Sequence, residues 1–117
     1  MKIAIPVKTD SENPAVSPLF GKAKWFAFVE DGSVTIEPNR FKSGLYVVDW
    51  LLSEHIDALI VQHIGESPYN YLRDSCDVAV FYAGEGRITL DEAVKRFEDE
   101  DLVIIDDTNI DRFVKHR

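Results

Sequence analysis

Ala58-Leu59-Ile60-Val61 is an unbroken apolar run, and its reading decides the fold. A strand with one solvated face alternates apolar and polar side chains, whereas a continuous run suits a strand covered on both faces, as in a parallel sheet flanked by helices. The flanking sequence agrees. Upstream, Gly44 to His55 reads as a helix: Leu45, Val48 and Leu52 fall on one face, Val47 and Leu51 widen the stripe, and Ser43 stands at the N-cap. Downstream, His63-Ile64-Gly65-Glu66 leaves the strand, and Ser67 with Pro68 opens a short helix, a cap followed by a first-turn proline.

The same reasoning extends in both directions. Val78 to Tyr82 is a second buried strand, followed by the loop Ala83-Gly84-Glu85-Gly86-Arg87. Thr89-Leu90-Asp91-Glu92 is a capping box, and Leu90, Ala93, Val94 and Phe97 form a helical stripe behind it. After an acidic break at Glu98 to Asp101, Leu102 to Ile105 suggests a short edge strand and Ile110 to Val114 a terminal helix starting at Thr108 or Asn109. At the other end, Ile3 to Val7 is strand-like, with Pro6 near its terminus, where the missing N–H is tolerated. Residues 8–21 form a long polar loop, of a length more often functional than shorter loops are. Lys24 to Glu30 and Val34 to Glu37 flank Asp31-Gly32-Ser33, a hairpin signal. The expectation is an α/β domain spanning 1–117, with a mixed five-stranded sheet, one antiparallel strand and helices on both faces.

Bulk composition narrows the function classes. A chain of 117 residues with 45% hydrophobic and 29% charged residues is ordinary globular material. Cys76 is the sole cysteine, which excludes an internal disulfide, a CxxC redox pair and a multi-cysteine cage, and fits a reducing, cytoplasmic setting. No apolar run approaches the roughly 20 residues that span a bilayer, so no membrane role is expected. The formal charge of −8 repels phosphate backbones and anionic membranes, which argues against nucleic acid.

In open α/β sheets, ligands settle beyond the carboxyl ends of the strands. The loops expected to gather there are 8–21, 63–67 and 83–88. His63 either ligates a soft metal or polarises a ligand, or is a strand-end histidine bonded to backbone. Gly65-Glu66-Ser67 leads into a helix N-terminus of the kind that binds anions, although Pro68 lacks a donor and Glu66 is itself negative. Gly84-Glu85-Gly86 is half of a phosphate fingerprint and reads better as a turn. Cys76 precedes its strand beside Asp77, a structural position. The first strand carries no inward acids for a two-metal nuclease, the C-terminal acids read as a solvated face, and His55 and His116 read as surface residues.

Met1-Lys2-Ile3-Ala4-Ile5-Pro6-Val7, followed by Val16-Ser17-Pro18-Leu19-Phe20-Gly21-Lys22-Ala23, resembles the nitrogenase iron–molybdenum cofactor biosynthesis accessory proteins, the small NifX/NafY-like domains. The match continues at Trp25 to Val29, Asp57 to Val61, Ile64-Gly65, Val80 to Tyr82 and Gly86 to Phe97, covering about residues 1–100 and leaving 101–117 as an extension. The resemblance implies a ribonuclease-H-like three-layer α/β/α fold without nuclease activity, and carriage of an iron–sulfur cluster, the iron–molybdenum cofactor or its precursor. The family carries a His directly before Phe-Gly in the first loop as its cofactor ligand; Leu19 stands there in this chain and cannot donate to iron. The His- and Gly-rich loop of many members is replaced by Pro38-Asn39-Arg40-Phe41-Lys42-Ser43. His63, in an adjacent predicted loop, is the candidate to substitute for it.

Two functional readings follow. In the first, the chain is a non-catalytic cofactor carrier working with a protein partner in cofactor assembly, and Ser17, Leu19, Phe20, Gly21, His63 and Gly65 line the site, with His63 on the metal. In the second, it is a regulatory or scaffolding domain that has lost the cluster and binds a protein or a small anion, with Lys8, Lys22 and Arg87 as the attracting groups.

Overall fold

The computed structural model describes residues 1–75 and 78–114. Cys76, read from the sequence as structural, and His116, read as a surface residue, lie outside the described residues. Among the described residues, six strands form one mixed sheet: β1 (Lys2–Val7), β2 (Trp25–Glu30), β3 (Ser33–Pro38), β4 (Ala58–Val61), β5 (Ala79–Tyr82) and β6 (Val103–Ile105), in the spatial order β3-β2-β1-β4-β5-β6. Three α-helices accompany them: α1 (Gly44–Ser53), α2 (Glu66–Asp74) and α3 (Leu90–Glu98). Short 3-10 turns occur at Phe20–Lys22 and Ile110–Arg112.

The continuous apolar run is explained by its place. β4 lies between β1 and β5, parallel to both. Its side chains alternate between two cores: Leu59 and Val61 join Ala4, Phe26, Phe28 and Val80 beneath α1 and α2, while Ala58 and Ile60 join Ile3, Ile5, Ala27 and Val29 beneath α3. Each fully buried aliphatic side chain contributes about 1.5–3 kcal/mol, so a strand with two dry faces has no room for polar alternation. Helices therefore cover both faces of the sheet.

Two features correct the five-stranded expectation with its one antiparallel strand. Residues Val103–Ile105 are a full sixth strand, paired antiparallel with β5 through Val80↔Ile105, Phe81↔Ile104 and Tyr82↔Val103. β6 joins β2 as a second antiparallel strand against the parallel core. The short edge strand suggested at Leu102 to Ile105 is therefore present, with only Ile105 of its three side chains buried, and what changes is the strand count and direction. The start of α2 also differs. Gly65, not Ser67, is the N-cap, and it offers no side-chain cap; Pro68 falls two residues further into the first turn, where a missing N–H still costs nothing. The C-terminal helix is only the 3-10 turn at Ile110–Arg112.

Residues beyond 100 are tied to the rest of the molecule. The Phe113 carbonyl accepts from the Ile64 N–H at 3.1 Å, and the Phe113 ring packs on Tyr82 with centroids 4.5 Å apart. The Tyr69 hydroxyl on α2 donates to Asp107 at 2.9 Å, and Arg73 reaches the same oxygen at 3.3 Å. Burial, and then the Asp107 carboxylate, push the Tyr69 phenol from its ordinary 10.0 up to about 12.

The starts of α1 and α2 approach unusually closely. A Cβ at Gly44 would meet the Pro68 ring at 2.6 Å, inside any normal contact, whereas a Cβ at the neighbouring Gly21 would sit 3.6 Å from Gly44, an ordinary distance. Gly44→Ala is therefore expected to lower stability in urea denaturation by about 1–3 kcal/mol, the usual penalty for overpacking, and Gly21→Ala to leave it within about 0.5 kcal/mol. Tyr69 adds an alkaline dependence. Its pKa is higher in the folded state, so its stabilisation is complete below pH 10 and is lost as pH rises toward about 12. Unfolding free energy measured across that window should fall less steeply in Tyr69→Phe than in the wild type.

Candidate functional site

The site begins where β1 stops pairing with β4. The parallel ladder is seen at Ile3↔Ala58 and Ala4↔Leu59, and two residues later Pro6 brings no N–H to extend it. The Pro6 carbonyl accepts instead from Ser17 at 2.8 Å, Val7 bridges Val16, and Lys8 donates to Ala15 at 2.9 Å, so the first loop folds back on the strand it left. Its returning arm then takes the vacated position beside the continuation of β4. The His63 N–H donates to the Pro18 carbonyl and the Phe20 N–H donates to the His63 carbonyl, both at 3.1 Å. Leu19 and His63 form a parallel bridge, side by side. Phe20 anchors the arm: it is 1% exposed and meets Phe26 edge-on, with centroids 5.6 Å apart.

Beside this bridge a cleft of about 380 Å³ opens. The first loop contributes Leu19, Phe20, Gly21 and Lys22, the loop after β4 contributes His63, Ile64 and Gly65, and Gly44 and Pro68 close it from α1 and α2. The start of each helix on this face thus borders the cleft, as does the 3-10 turn at Phe20. Helix starts carry partial positive charge and free N–H groups. At α1 the Ser43 hydroxyl accepts from the Leu45 N–H at 3.2 Å, but α2 has no side-chain cap. The first-turn charge there is the exposed Glu66, which partly offsets the field.

His63 is the polar side chain of most interest on the wall. Its Nδ1 is sealed from solvent and has no hydrogen-bond partner among the described residues. An unsatisfied buried nitrogen costs about 1–3 kcal/mol, so its retention calls for a cause. The fit to a metal centre is partial. No group of three or more His, Cys, Asp or Glu side chains among the described residues could hold an ion, so His63 would supply one nitrogen donor and a cluster would need its remaining ligands from elsewhere.

Five of the six residues singled out from the sequence, Leu19, Phe20, Gly21, His63 and Gly65, line the cleft. Ser17 does not; it is 8% exposed and its N–H is bound to Pro6 in the seam between loop and strand. The third loop expected at the site, 83–88, is held on the other face. One residue before His63, Gln62 points to the α3 side, where its amide donates to the Gly84 and Gly86 carbonyls at 2.8 Å each. The alternation of a strand thus divides the loops between faces, and of Lys8, Lys22 and Arg87 only Lys22 borders the cleft. Gly44 and Pro68 had been read only as helix-start residues. A glycine at the first position of an otherwise apolar helix was the available signal of a close approach there.

Comparison with known proteins agrees with this architecture. A Thermotoga protein carrying a provisional NifB designation and placed in the DUF35 family is 25% identical, with 86% of this chain and 90% of that chain aligned and a TM-score of 0.72. The apo form of the orange protein from Desulfovibrio gigas is 21% identical over 89% of this chain and 92% of its own, with a TM-score of 0.77. A Methanocaldococcus jannaschii protein with a provisional dinitrogenase designation is 22% identical over 90% and 94%, with a TM-score of 0.67. The last two likenesses speak to the fold alone. No curated protein matches the chain. The family model described as dinitrogenase iron-molybdenum cofactor matches residues 1–100, and the chain belongs to that family.

Proposed function

We propose that this protein is a non-catalytic carrier that holds an iron–sulfur or iron–molybdenum metallocluster, or a precursor of one, against the cleft as cargo, with His63 as its protein nitrogen ligand. The observation that carries this reading is the Leu19–His63 bridge. The resemblance implies a ligand histidine at position 19, and His63, just past the end of β4, is bridged directly beside it and lines the same cleft. The apolar wall of Leu19 and Phe20 supports it, because a soft metal favours an imidazole ligand in a site that limits water. A single ligand suits cargo that must be released, since a closed protein cage would retain it. The strand order supports a ribonuclease-H-like relationship, without the inward acids of a nuclease on β1.

A second reading has its own observation. The uncapped start of α2 and Lys22 at the cleft favour a small anion, which would make the chain a regulatory domain that no longer carries metal. An anaerobic titration with a synthetic iron–sulfur cluster, followed by visible absorption and EPR, separates the two. The carrier reading expects stoichiometric binding in the wild type and at least about tenfold weaker binding in His63→Ala, or about 1.4 kcal/mol. No binding in the wild type, together with saturable binding of inorganic phosphate that is weakened in Lys22→Ala, would reject it in favour of the anion.

A further inference from the structure

The acidity of this chain is not evenly spread. Residues 13–29 and 38–48 contain no Asp or Glu, although the chain has 21 acids, and they hold Lys22, Lys24, Arg40 and Lys42. The fold brings these two stretches together. Trp25 pairs with Pro38, the Asn39 N–H donates to the Lys24 carbonyl at 2.9 Å, and the Asn39 amide donates to the Ala23 carbonyl at 2.8 Å. All four cations are exposed, and none is in an ion pair among the described residues, whereas Lys2, Arg73 and Lys95 are paired with acids.

Large apolar side chains stand exposed on the same segments: Phe41 lies between Arg40 and Lys42 in the chain, and Leu45 and Tyr46 follow on α1. Tyr46 is 63% exposed, Leu45 43% and Phe41 39%. The Phe41 segment is held in place: its N–H is bound by Asn39, and its ring packs 5.8 Å from that of Trp50. Aromatic and Arg side chains ordered before binding are the groups that anchor protein interfaces. The patch also adjoins the cleft, since Lys22 and Gly44 line it and Leu45 and Tyr46 follow Gly44 on α1.

We propose that this basic, aromatic rim is a docking surface for a partner protein presenting an acidic patch with an apolar centre. Charge complementarity selects that occupant. Four cations without an ion pair among the described residues, on the same segments as three exposed apolar side chains, match a patch of carboxylates beside an apolar contact. A nucleic acid fits less well, because a chain of net charge −8 repels an extended phosphate backbone beyond the few contacts this patch can make. A docked partner would lie at the cleft mouth, so transfer of whatever the cleft holds would occur under cover. The rim stands on its own charge and exposure, whatever the cleft binds.

The test uses the full chain and fluorescence anisotropy. The probe is a labelled peptide with a Leu-Trp-Leu centre flanked by glutamates, and its counterpart carries glutamines instead. The glutamate peptide should bind at least about tenfold more tightly than its counterpart, and more weakly as salt rises. The triple variant Lys24→Glu/Arg40→Glu/Lys42→Glu should lose at least about tenfold in affinity and Tyr46→Ala about threefold. Lys8→Glu and Lys95→Glu, away from the rim, should leave it unchanged, with thermal midpoints confirming that all variants fold. Equal binding of the two peptides, or an unaffected triple variant, would overturn the proposal. So would tighter binding of an RNA oligonucleotide than of the glutamate peptide, or self-association in sedimentation that the triple variant abolishes, which would assign the rim to a second copy. The cluster titration of the triple variant is a separate readout, so loss of docking and loss of cleft binding are distinguishable.

Discussion

The site depends on two backbone hydrogen bonds that bind His63 to the returning arm of the first loop. A parallel sheet must end somewhere, and the carbonyls and N–H groups beyond its last ladder pair need partners. Here Pro6 ends the β1–β4 ladder, and Pro18 and Phe20 take over the role that the next residues of β1 would have had. Without that substitution the loop would have no fixed position against β4. Leu19, Gly21 and Lys22 would then be a mobile stretch instead of a cleft wall. Phe20, buried beneath α1 against Phe26, makes the arrangement insensitive to the many polar residues earlier in the loop.

From this constraint the division of the two faces follows. A strand alternates, so Gln62 and His63 face opposite layers. Gln62 spends its amide on Gly84 and Gly86, fixing the last loop on the α3 side. His63 is left with the α1/α2 side, where the close approach of Gly44 and Pro68 brings the helix starts together under the cleft. The segment beyond residue 100 reinforces this face: the Phe113 carbonyl binds the N–H of Ile64, next to His63, and Asp107 holds Tyr69 on α2. The extension thus supports the floor of the site from outside the stretch that the family model matches.

Much of this was legible in the residues. The apolar continuity of Ala58 to Val61 announced a central strand with two covered faces, and the Thr89–Glu92 box marked the start of α3, where both reciprocal bonds are present. The motif around Phe20-Gly21 and the histidine at position 63 pointed to two segments that the fold brings to one cleft. The rest was hidden for physical reasons. β6 was visible as a short edge strand at Leu102 to Ile105, but its antiparallel pairing with β5 was not, since only one of its side chains is buried. Ser67 looked like a cap because caps are recognised by residue type, yet the chain turns into the helix two residues earlier, at Gly65. Which loops share a face depends on the phase of a strand, and one residue decides it: read from the sequence, Gln62 carried no signal that it would draw Gly84 and Gly86 away from the cleft.

In the carrier proposal, position 63 takes over the role implied for position 19, across the single bridge between Leu19 and His63. The direct measurement is rescue. Leu19→His is introduced into the His63→Ala protein, and cluster loading is followed anaerobically by EPR, with nitrogen hyperfine coupling reporting an imidazole ligand. If the two positions serve one site, the double variant regains the binding that His63→Ala lacks, and the coupling returns with it. Binding that stays absent in the double variant while the wild type loads normally would contradict the account, as would a wild-type cluster without imidazole coupling.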